Sequence, residues 1–511
     1  MTHNKTARTV AMMMAITIIG KIMGVLRERM QAVHFGGNTA ESIAFAHASI
    51  LPRNFLDIMF AAAFSASFIP VFSMYLETKG KKAAFDLAAL FISIVTVLTV
   101  GVAVVSMLFA HPIFTLTLRA DYLPPGTVDL GVTLLRIMFP LMILSGLAFS
   151  FTGILQSLGE FRIPAAMSVV SNGIILLYYF FLVDRFGVYG LAVAFLIGWG
   201  AQAVIQLPFL IKHRFKFRFL INPKDPGLRK IAKLALPVML SSWVLPINIL
   251  VNAYVASGLY GDFGVNAIHF ANTLFAIISG VFILSVSNVI FPKLSRQAAA
   301  KDTHGFSETI NETVRVLLFF LLPLTFGLMA LSEPLVGLIL GGGQFDDIAV
   351  QFTGTALFHF AIGAVGFGIL TILSRACYAM LDGRTPIVAA VAAIIINTIL
   401  SFALAPHLDV AGPALANAIA QTLGAAILVI SLTRKSVVKW PASTIIDIGK
   451  MMILALVMFV AVHITSRQTA GMHVLLQVAI PGMVGIIVYL GLAAVLRIKE
   501  MGWLLSPSKR R

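Results

Sequence analysis

The chain has 511 residues, of which 59% are hydrophobic and 11% are charged, and its mean hydropathy is +0.96. This composition excludes an ordinary soluble domain and is typical of a polytopic membrane protein. The single cysteine, Cys377, excludes a disulfide framework and a metal site built from several cysteines. The formal net charge of +16 does not point to nucleic acid, because the lysines and arginines stand in short loops between apolar segments, where they set topology.

Apolar runs of about 20 residues or more predict about fourteen membrane-spanning helices and therefore an all-α fold. Alternate loops carry the positive charge, near residues 79–82, 212–230, 293–301 and 434–439. By the positive-inside rule these loops and both termini face the cytoplasm. The spans are expected at 8–34, 41–76, 83–111, 127–157, 163–183, 188–211, 230–258, 265–292, 308–340, 348–380, 386–405, 412–433, 444–466 and 473–496.

The first span is unusual because it contains several charged residues. The stretch GKIMGVLRERMQAVHFGG at 20–37 places Lys21, Arg27, Glu28 and Arg29 after the wholly apolar VAMMMAITII. Each ionisable group at membrane depth costs roughly 2.5 to 3.5 kcal/mol on insertion scales, so it normally faces a watery cavity or a charged ligand. The excess of cations predicts an anionic cargo. The alternative is that residues 27–29 lie near the helix end and snorkel to the interface.

Later spans supply further candidates for contact with the cargo. Arg53 and Asp57 stand four apart in the second span, close enough on one helix face to form a pair that neutralises itself. Arg136 in the fourth span is a cationic candidate for a cavity wall. Asn272 in the eighth span is another candidate, although hydrogen bonding between helices is its simplest role.

The chain repeats itself at an offset of 222 residues, which indicates a duplication. Because the offset spans six predicted helices, an even number, the halves share one orientation and form two parallel six-helix lobes with a substrate site between them. The expected domains are a lobe with a basic linker at 1–224, a second lobe at 225–440, and two extra helices with a basic tail at 441–511. The aligned landmarks are Ser65 with Ser287, Pro70 with Pro292, Ser73 with Ser295, Glu160 with Asp382, Arg162 with Arg384, and Pro164 with Pro386.

Five sequence blocks resemble those of a known family: GKIMGVLRE at 20–28, AAFSASFIPVF at 62–72, FPKLS at 291–295, SEPLVGLILGGGQF at 332–345 and CYAMLDGRTP at 377–386. On these blocks the chain resembles the MurJ/MviN lipid II flippases of the multidrug/oligosaccharidyl-lipid/polysaccharide exporter superfamily. The resemblance implies a transporter in the bacterial cytoplasmic membrane, and no enzyme. Its cargo would be a polyprenyl-diphosphate-linked saccharide, moved to the outer leaflet by alternating access. No cofactor is implied, while coupling to a monovalent cation or to the membrane potential stays open, as does the oligomeric state.

The resemblance also assigns residues by position. Lys21 stands where the family usually has an arginine, Arg27 matches its second cavity arginine, and Glu41 matches an acidic residue that opens the second helix. Other family charges are missing, which keeps a paralogue that flips another polyprenyl-linked glycan as an alternative. The family's arginine and glutamate in the second helix align with Leu56 and Ala61, and its Asp-Arg-Glu set in the eighth helix aligns with Asn272, Thr273 and Ala276.

Two rival classes fit the sequence less well. A cation-coupled drug exporter of the same superfamily would use a membrane-embedded carboxylate, but basic residues outnumber acidic ones in the first lobe. An integral-membrane glycosyltransferase would need a catalytic base or metal carboxylates on a sizeable external loop, but the predicted outward loops are short. The sequence contains no Walker-type phosphate loop, so ATP is not expected as the direct energy source.

Overall fold

The structure is a computed structural model that describes residues 2–55, 64–242, 244–259, 263–496 and 498–501. The regular elements of these residues are helices, which confirms the all-α fold class. The first twelve helices are α1 Thr2–Phe35, α2 Ala40–Ser49, α3 Ile69–Thr78, α4 Gly80–Leu108, α5 Ala110–Thr117, α6 Thr127–Met138, α7 Leu141–Ser157, α8 Arg162–Phe181, α9 Val183–Val204, α10 Leu207–Lys212, α11 Pro226–Ser242 and α12 Val244–Ala256.

Shorter turns interrupt the first part of the chain, and nine more helices follow. The turns are two π-helical segments, Ile50–Phe55 and Phe64–Phe68, and a 3-10 turn at Ala120–Tyr122. The later helices are α13 Gly264–Ala299, α14 Thr303–Ala330, α15 Ser332–Leu340, α16 Asp347–Ile362, α17 Ala364–Ala379, α18 Arg384–Leu408, α19 Ala411–Arg434, α20 Ala442–Gln468 and α21 Val474–Val495.

These helices form two compact units. The first comprises Met1–Ser257 together with Gly343–Phe345, and the second comprises Gly258–Gly342 with Asp346–Arg511. Helices α11 and α12 therefore belong to the first unit, and the C-terminal pair α20–α21 belongs to the second. The domain boundary at residue 224 rests on the sequence repeat and stays a prediction.

Ten of the predicted spans have a counterpart of sufficient length and hydropathy. Nine helical segments of the described residues could each cross a membrane, and a tenth arises if α16 and α17, bent by 44°, form one span. They correspond to the third to sixth and the ninth to fourteenth predicted spans. The other four predicted spans correspond to α1, α2–α3, α11–α12 and α13, and the total of fourteen stays a prediction.

The 222-residue register extends to the backbone. Left-handed φ values are uncommon for residues other than glycine, so their recurrence at one offset supports the duplication. Hydrogen bonds at one of these turns match as well, because the N–H of Glu160 donates to Leu155 O and that of Asp382 donates to Cys377 O. The pairs are Gly159 and Leu381 with φ of 85° and 61°, Gly187 and Asp409 with 51° and 53°, and Arg214 and Ser436 with 63° and 55°.

Close contact with the end of α1 explains why the GGGQF block contains glycine at position 343. Gly36 ends α1 with φ of 74°, and the N–H of Gln344 donates to Val33 O at 2.9 Å. A Cβ on Gly343 would lie 2.4 Å from the same oxygen of Val33. Only glycine permits this approach, because every other residue would place a carbon inside the carbonyl oxygen's contact distance.

Candidate functional site

The charges of α1 meet Arg53 inside the first unit. Arg27 Nη2 lies 2.5 Å from Glu28 Oε1, and Arg53 Nη2 lies 3.5 Å from the same oxygen. The side chains of Arg27 and Glu28 are 8% and 1% exposed, and that of Arg53 is 19% exposed. Among the residues that the structure describes, two guanidinium groups therefore lie against one carboxylate in a largely buried site. We call Arg27, Glu28 and Arg53 the cationic cluster.

The backbone around Arg53 differs from an ordinary α-helix. Arg53 lies in the π-helical segment Ile50–Phe55, directly after α2. Pro52, which has no N–H to donate, is accommodated in this irregular turn. π-Helical turns occur often at functional sites. Here the turn carries Arg53 to the Glu28 carboxylate of a different helix.

Helix α8 fixes Arg27 from the opposite side. Arg27 Nη1 donates to Asn172 Oδ1 at 2.8 Å, and Asn172 Nδ2 donates to Gly20 O at 3.1 Å. A Cβ on Gly20 would lie 2.3 Å from Ser168 Oγ, so glycine allows α1 to pack closely against α8 at this level. The amide of Asn172 thus ties the backbone of α1 to its arginine.

Aromatic rings of α9 form a platform for both guanidinium groups. The guanidinium carbons of Arg27 and Arg53 lie 5.4 Å and 5.8 Å from the ring centroid of Phe195, within the range of cation–π attraction. Phe195 is itself held by Phe45 at 5.2 Å, edge to face, and by Trp199 at 5.5 Å, stacked. The arginines are therefore positioned by packing as well as by charge.

Three buried donors near the cluster have no hydrogen-bond partner among the described residues: Arg27 Nε, Gln31 Nε2 and Tyr179 Oη. Gln31 lies one helical turn after Arg27, and Tyr179 is close enough to interact electrostatically with Arg27 and Glu28. A buried polar group without a partner costs about 1–3 kcal/mol. These spare donors are features that an anionic group would satisfy.

Lys21 and Glu41, also predicted, lie outside the cluster. Lys21 is exposed on α1 between two exposed residues, Ile18 at 59% and Ile22 at 62%. Glu41 is exposed in the first turn of α2. Lys21 is thus accessible in this structure, whereas Arg27 is enclosed.

The remaining predicted residues are not brought to the cluster. Arg136 is exposed on α6, with its Nε 3.4 Å from Met107 O. Asn272 is half-buried on α13 of the second unit. Asp57 lies outside the described residues, so its pairing with Arg53 stays a prediction, whereas the contact of Arg53 with Glu28 is present.

Sequence reasoning missed Asn172 and Phe195. An isolated asparagine within an otherwise apolar span is a signal of interhelical hydrogen bonding and could have been found. Phe195 carries no such signal, because 10% of the chain is aromatic and only the packing of α9 selects this ring.

Comparison with known proteins decides the family. A family model described as "Lipid II flippase MurJ" matches residues 32–481, which is most of the chain. The chain belongs to the MurJ lipid II flippase family. This confirms the resemblance seen in the five sequence blocks. The MurJ family consists of lipid-flipping transporters rather than enzymes, and its role lies in peptidoglycan and cell-wall biogenesis.

Curated MurJ relatives match the chain along most of its length. A probable lipid II flippase MurJ from Vibrio cholerae is 29% identical over 462 residues, covering 86% of this chain and 87% of the relative. A lipid II flippase MurJ from Burkholderia cenocepacia is 26% identical, with 82% of each protein covered.

Solved structures of MurJ and of related exporters share the fold. A lipid II flippase MurJ in an inward closed conformation has a TM-score of 0.81 and 24% identity, covering 95% of this chain and 98% of that chain. An inward-facing multidrug resistance MATE transporter of the MOP superfamily has a TM-score of 0.71 and 14% identity, covering 84% and 98%.

Proposed function

We propose that this chain moves lipid II, an undecaprenyl-diphosphate-linked peptidoglycan precursor, from the inner to the outer leaflet of the bacterial cytoplasmic membrane. It does so by alternating access, with both termini and the basic loops in the cytoplasm. Membership of the MurJ family supports the cargo class. The observation that carries the proposal is the cationic cluster, because a diphosphate needs fixed positive charge in a site shielded from water.

The exposed Lys21 and the enclosed Arg27 act in sequence. Lys21 attracts the diphosphate first as a point charge, since lysine lacks the bidentate fork of arginine. The diphosphate then competes with the Glu28 carboxylate for Arg27 and Arg53. Glu28 holds the two guanidinium groups in place when no cargo is bound, and it keeps their mutual repulsion small.

The other predicted residues complete the proposal. In this proposal Glu41, Asp57, Arg136 and Asn272 contact the cargo at other points of its path. The protein uses no cofactor, and the step that resets it is driven by a monovalent cation or by the membrane potential.

A second candidate cargo is another polyprenyl-diphosphate-linked glycan. Leu56, Ala61, Asn272, Thr273 and Ala276 support it, because these apolar or neutral residues occupy positions where the resemblance implies charge. Both cargoes share the diphosphate, so the cationic cluster serves either one. Replacement of a cell's essential lipid II flippase by this gene distinguishes them, since rescue of growth requires lipid II.

The decisive experiment is flipping of fluorescent lipid II in vesicles that contain purified variants. Lys21→Ala is the cleanest variant, because Lys21 is exposed and its removal leaves the packing of the cluster intact. We expect a loss of about tenfold or more for Lys21→Ala and Arg27→Ala, and tolerance of Lys21→Arg. Arg467→Ala is the matched control, since it removes one exposed cation from α20, a helix that the proposal does not assign to the cargo path.

Folding is measured on the same samples, because Arg27→Ala also leaves Glu28 with one partner fewer. Asn272→Ala and Thr273→Ala are expected to be mild. Normal flipping by both Lys21→Ala and Arg27→Ala, together with collapse for Asn272→Ala, would place the cargo on α13 and overturn the assignment to α1.

A further inference from the structure

The segment between α10 and α11 is the most basic surface of the first unit that the transport proposal leaves unused. Residues 213–225, HRFKFRFLINPKD, are called here the basic–aromatic linker. Cations alternate with phenylalanines from Arg214 to Phe219, and residues 215–222 form neither helix nor strand. The side chains of Phe217, Phe219 and Ile221 are 52%, 60% and 60% exposed. Three exposed, large apolar side chains beside cations indicate a surface that binds a partner with both apolar and anionic groups.

The linker is attached to α4 at two points. The Phe215 ring packs edge to face on Phe85 with centroids 5.3 Å apart, and the N–H of Leu220 donates to Ser93 Oγ at 3.0 Å. Phe85 and Ser93 are separated by about 12 Å along the helix axis. Five linker residues cover that axial distance at about 2.4 Å per residue, more than the 1.5 Å rise of an α-helix, which agrees with the lack of helix in this segment.

The depth of these attachments follows from the length of α4. Its 29 residues span about 43 Å, more than the roughly 30 Å of a bilayer's hydrocarbon core. The exposed apolar side chains of α4 begin at Val97 and end at Leu108. Counting back about 20 residues from Leu108, the length that crosses the core, places the other edge of the core near residue 89. Phe85 and Ser93 lie on either side of this edge, so the linker crosses the headgroup region.

We propose that the basic–aromatic linker binds anionic phospholipid headgroups of the cytoplasmic leaflet. Lys216 and Arg218 contact the phosphates, while Phe217 and Phe219 enter the boundary between headgroups and acyl chains. No acidic residue lies between Arg214 and Lys224, so the cations are not neutralised within the segment. The inference rests on the cytoplasmic orientation of the proposed function and goes beyond its cargo.

The repeat provides an internal contrast. The turn at Ser436 has the same hydrogen bonds as the turn at Arg214: Arg214 N–H to Ile211 O, Phe215 N–H to Leu210 O, Ser436 N–H to Thr433 O and Val437 N–H to Leu432 O. After this turn the second copy differs, because Val438, the counterpart of the exposed Lys216, is 1% exposed, and the exposed counterparts of Phe217 and Phe219 are Lys439 and Pro441 rather than aromatic residues. The exposed phenylalanines of the basic–aromatic linker therefore depend on the sequence of the first copy, because the backbone turn before them is the same in both copies.

Depth-dependent quenching of a label on the linker tests the proposal in the full-length protein. Cys377→Ser removes the single native thiol, and Phe217→Cys carries an environment-sensitive fluorophore. The protein is placed in phosphatidylcholine vesicles that contain brominated phosphatidylglycerol or brominated phosphatidylcholine at equal mole fraction. We expect stronger quenching by the anionic lipid, and a preference that falls about fivefold for each cation removed in Lys216→Gln and Arg218→Gln. High salt weakens the preference as well.

The matched control carries the label at Ala300→Cys, an exposed position after α13 that lies beside Lys301 and close to Arg296 in the last turn of that helix, without the aromatic run. Equal quenching by the two brominated lipids at Phe217→Cys would exclude headgroup selection. Absence of quenching by either would show that the linker does not reach the membrane. An equal preference for the anionic lipid at Ala300→Cys would show that any basic loop produces the effect, and this would overturn the proposal. Quenching is measured without transport. The result for the linker therefore does not depend on whether the cargo assignment is correct.

Discussion

Helices α4 and α14 stand at equivalent positions of the 222-residue repeat, but their surroundings differ. Val97 and Val104 of α4 are 48% and 50% exposed. Their counterparts on α14 are Phe319, which packs on Tyr489 at 5.6 Å, and Phe326, which packs on Phe459 at 5.9 Å. Helices α20 and α21 therefore cover the face of α14 that α4 leaves to lipid. A duplicated backbone has been given two different environments by changes in side chains.

Helices α4 and α14 also differ at one polar position. Ser93 of α4 accepts the N–H of the basic–aromatic linker, and its counterpart is Arg315 of α14. Arg315 Nη2 lies 2.7 Å from Glu500 Oε1, and Arg315 Nη1 lies 3.7 Å from Asp447 Oδ2. Arg315 therefore attaches both appended helices to α14, one through Asp447 and the other through the segment that follows α21.

Two arginine clusters of the described residues differ in the partners that surround the arginines. In the cationic cluster two arginines share the carboxylate of Glu28, whereas at Arg315 one arginine serves Asp447 and Glu500. Lys450 Nζ also lies 4.0 Å from Asp447 Oδ1, so the two carboxylates at Arg315 are matched by two cations. These contacts indicate a structural role for Arg315, whereas the binding role of Arg27 and Arg53 is part of the proposed function.

The largest effect that tests this contrast is expected for Arg315→Ala. Glu500 is 2% exposed, so removal of Arg315 takes away the cation that the described residues place beside this buried carboxylate, at a cost of about 3–5 kcal/mol in unfolding free energy. Thermal unfolding of the detergent-solubilised protein should shift strongly. Arg296→Ala, at an exposed arginine of the same unit, is the control, and equal stability of the two variants would remove Arg315 from this structural role.

Smaller effects on stability, opposite in direction, are expected at the two equivalent turns that contain Gly159 and Leu381. Leu381 has φ of 61° and is 95% exposed, so its side chain gains no packing in return for a left-handed backbone. Leu381→Gly should stabilise the protein by about 1 kcal/mol, and Gly159→Leu should destabilise it by a similar amount. Leu177→Gly, within α8, is the control for the flexibility of glycine and should destabilise. A lower melting temperature for Leu381→Gly would contradict the equivalence of the two turns.

Much of this could be predicted from sequence because it depends on local signals. Apolar runs located the spans, and the charges of Arg27 and Glu28 were conspicuous inside one of them. The pairing of Arg53 with Asp57 stays a prediction, because Asp57 lies outside the described residues, and the contact of Arg53 with Glu28 across helices was not predicted. That contact depends on a π-helical turn and on the packing of α1, neither of which has a local sequence pattern. The left-handed φ of Leu381 could not be predicted from the sequence either, because glycine is the residue that usually indicates this conformation.

The smallest predicted effect concerns Asp382 and Lys435, in the loops after α17 and α19. Lys435 Nζ and Thr385 Oγ1 each lie 2.6 Å from Asp382 Oδ2. Burial alone would raise the pKa of Asp382, but these hydrogen bonds outweigh it and lower the pKa from 3.8 to about 2. The equivalent positions of the first unit are Glu160, Ile163 and His213, which supply neither the lysine nor the hydroxyl.

Because the pKa of Asp382 is depressed in the folded state, its stabilisation is complete above pH 3.8 and is lost as the pH falls through about 2. Asp382→Asn should therefore lower stability near neutral pH by less than about 1 kcal/mol, since the Lys435 side chain is 48% exposed and screened by solvent. Melting temperatures of the two proteins should converge as the pH approaches 2. Glu160→Gln, at the equivalent position, should show little difference at either pH. A gap between wild type and Asp382→Asn that stays constant down to pH 2 would assign the effect to packing of the loop rather than to the ion pair.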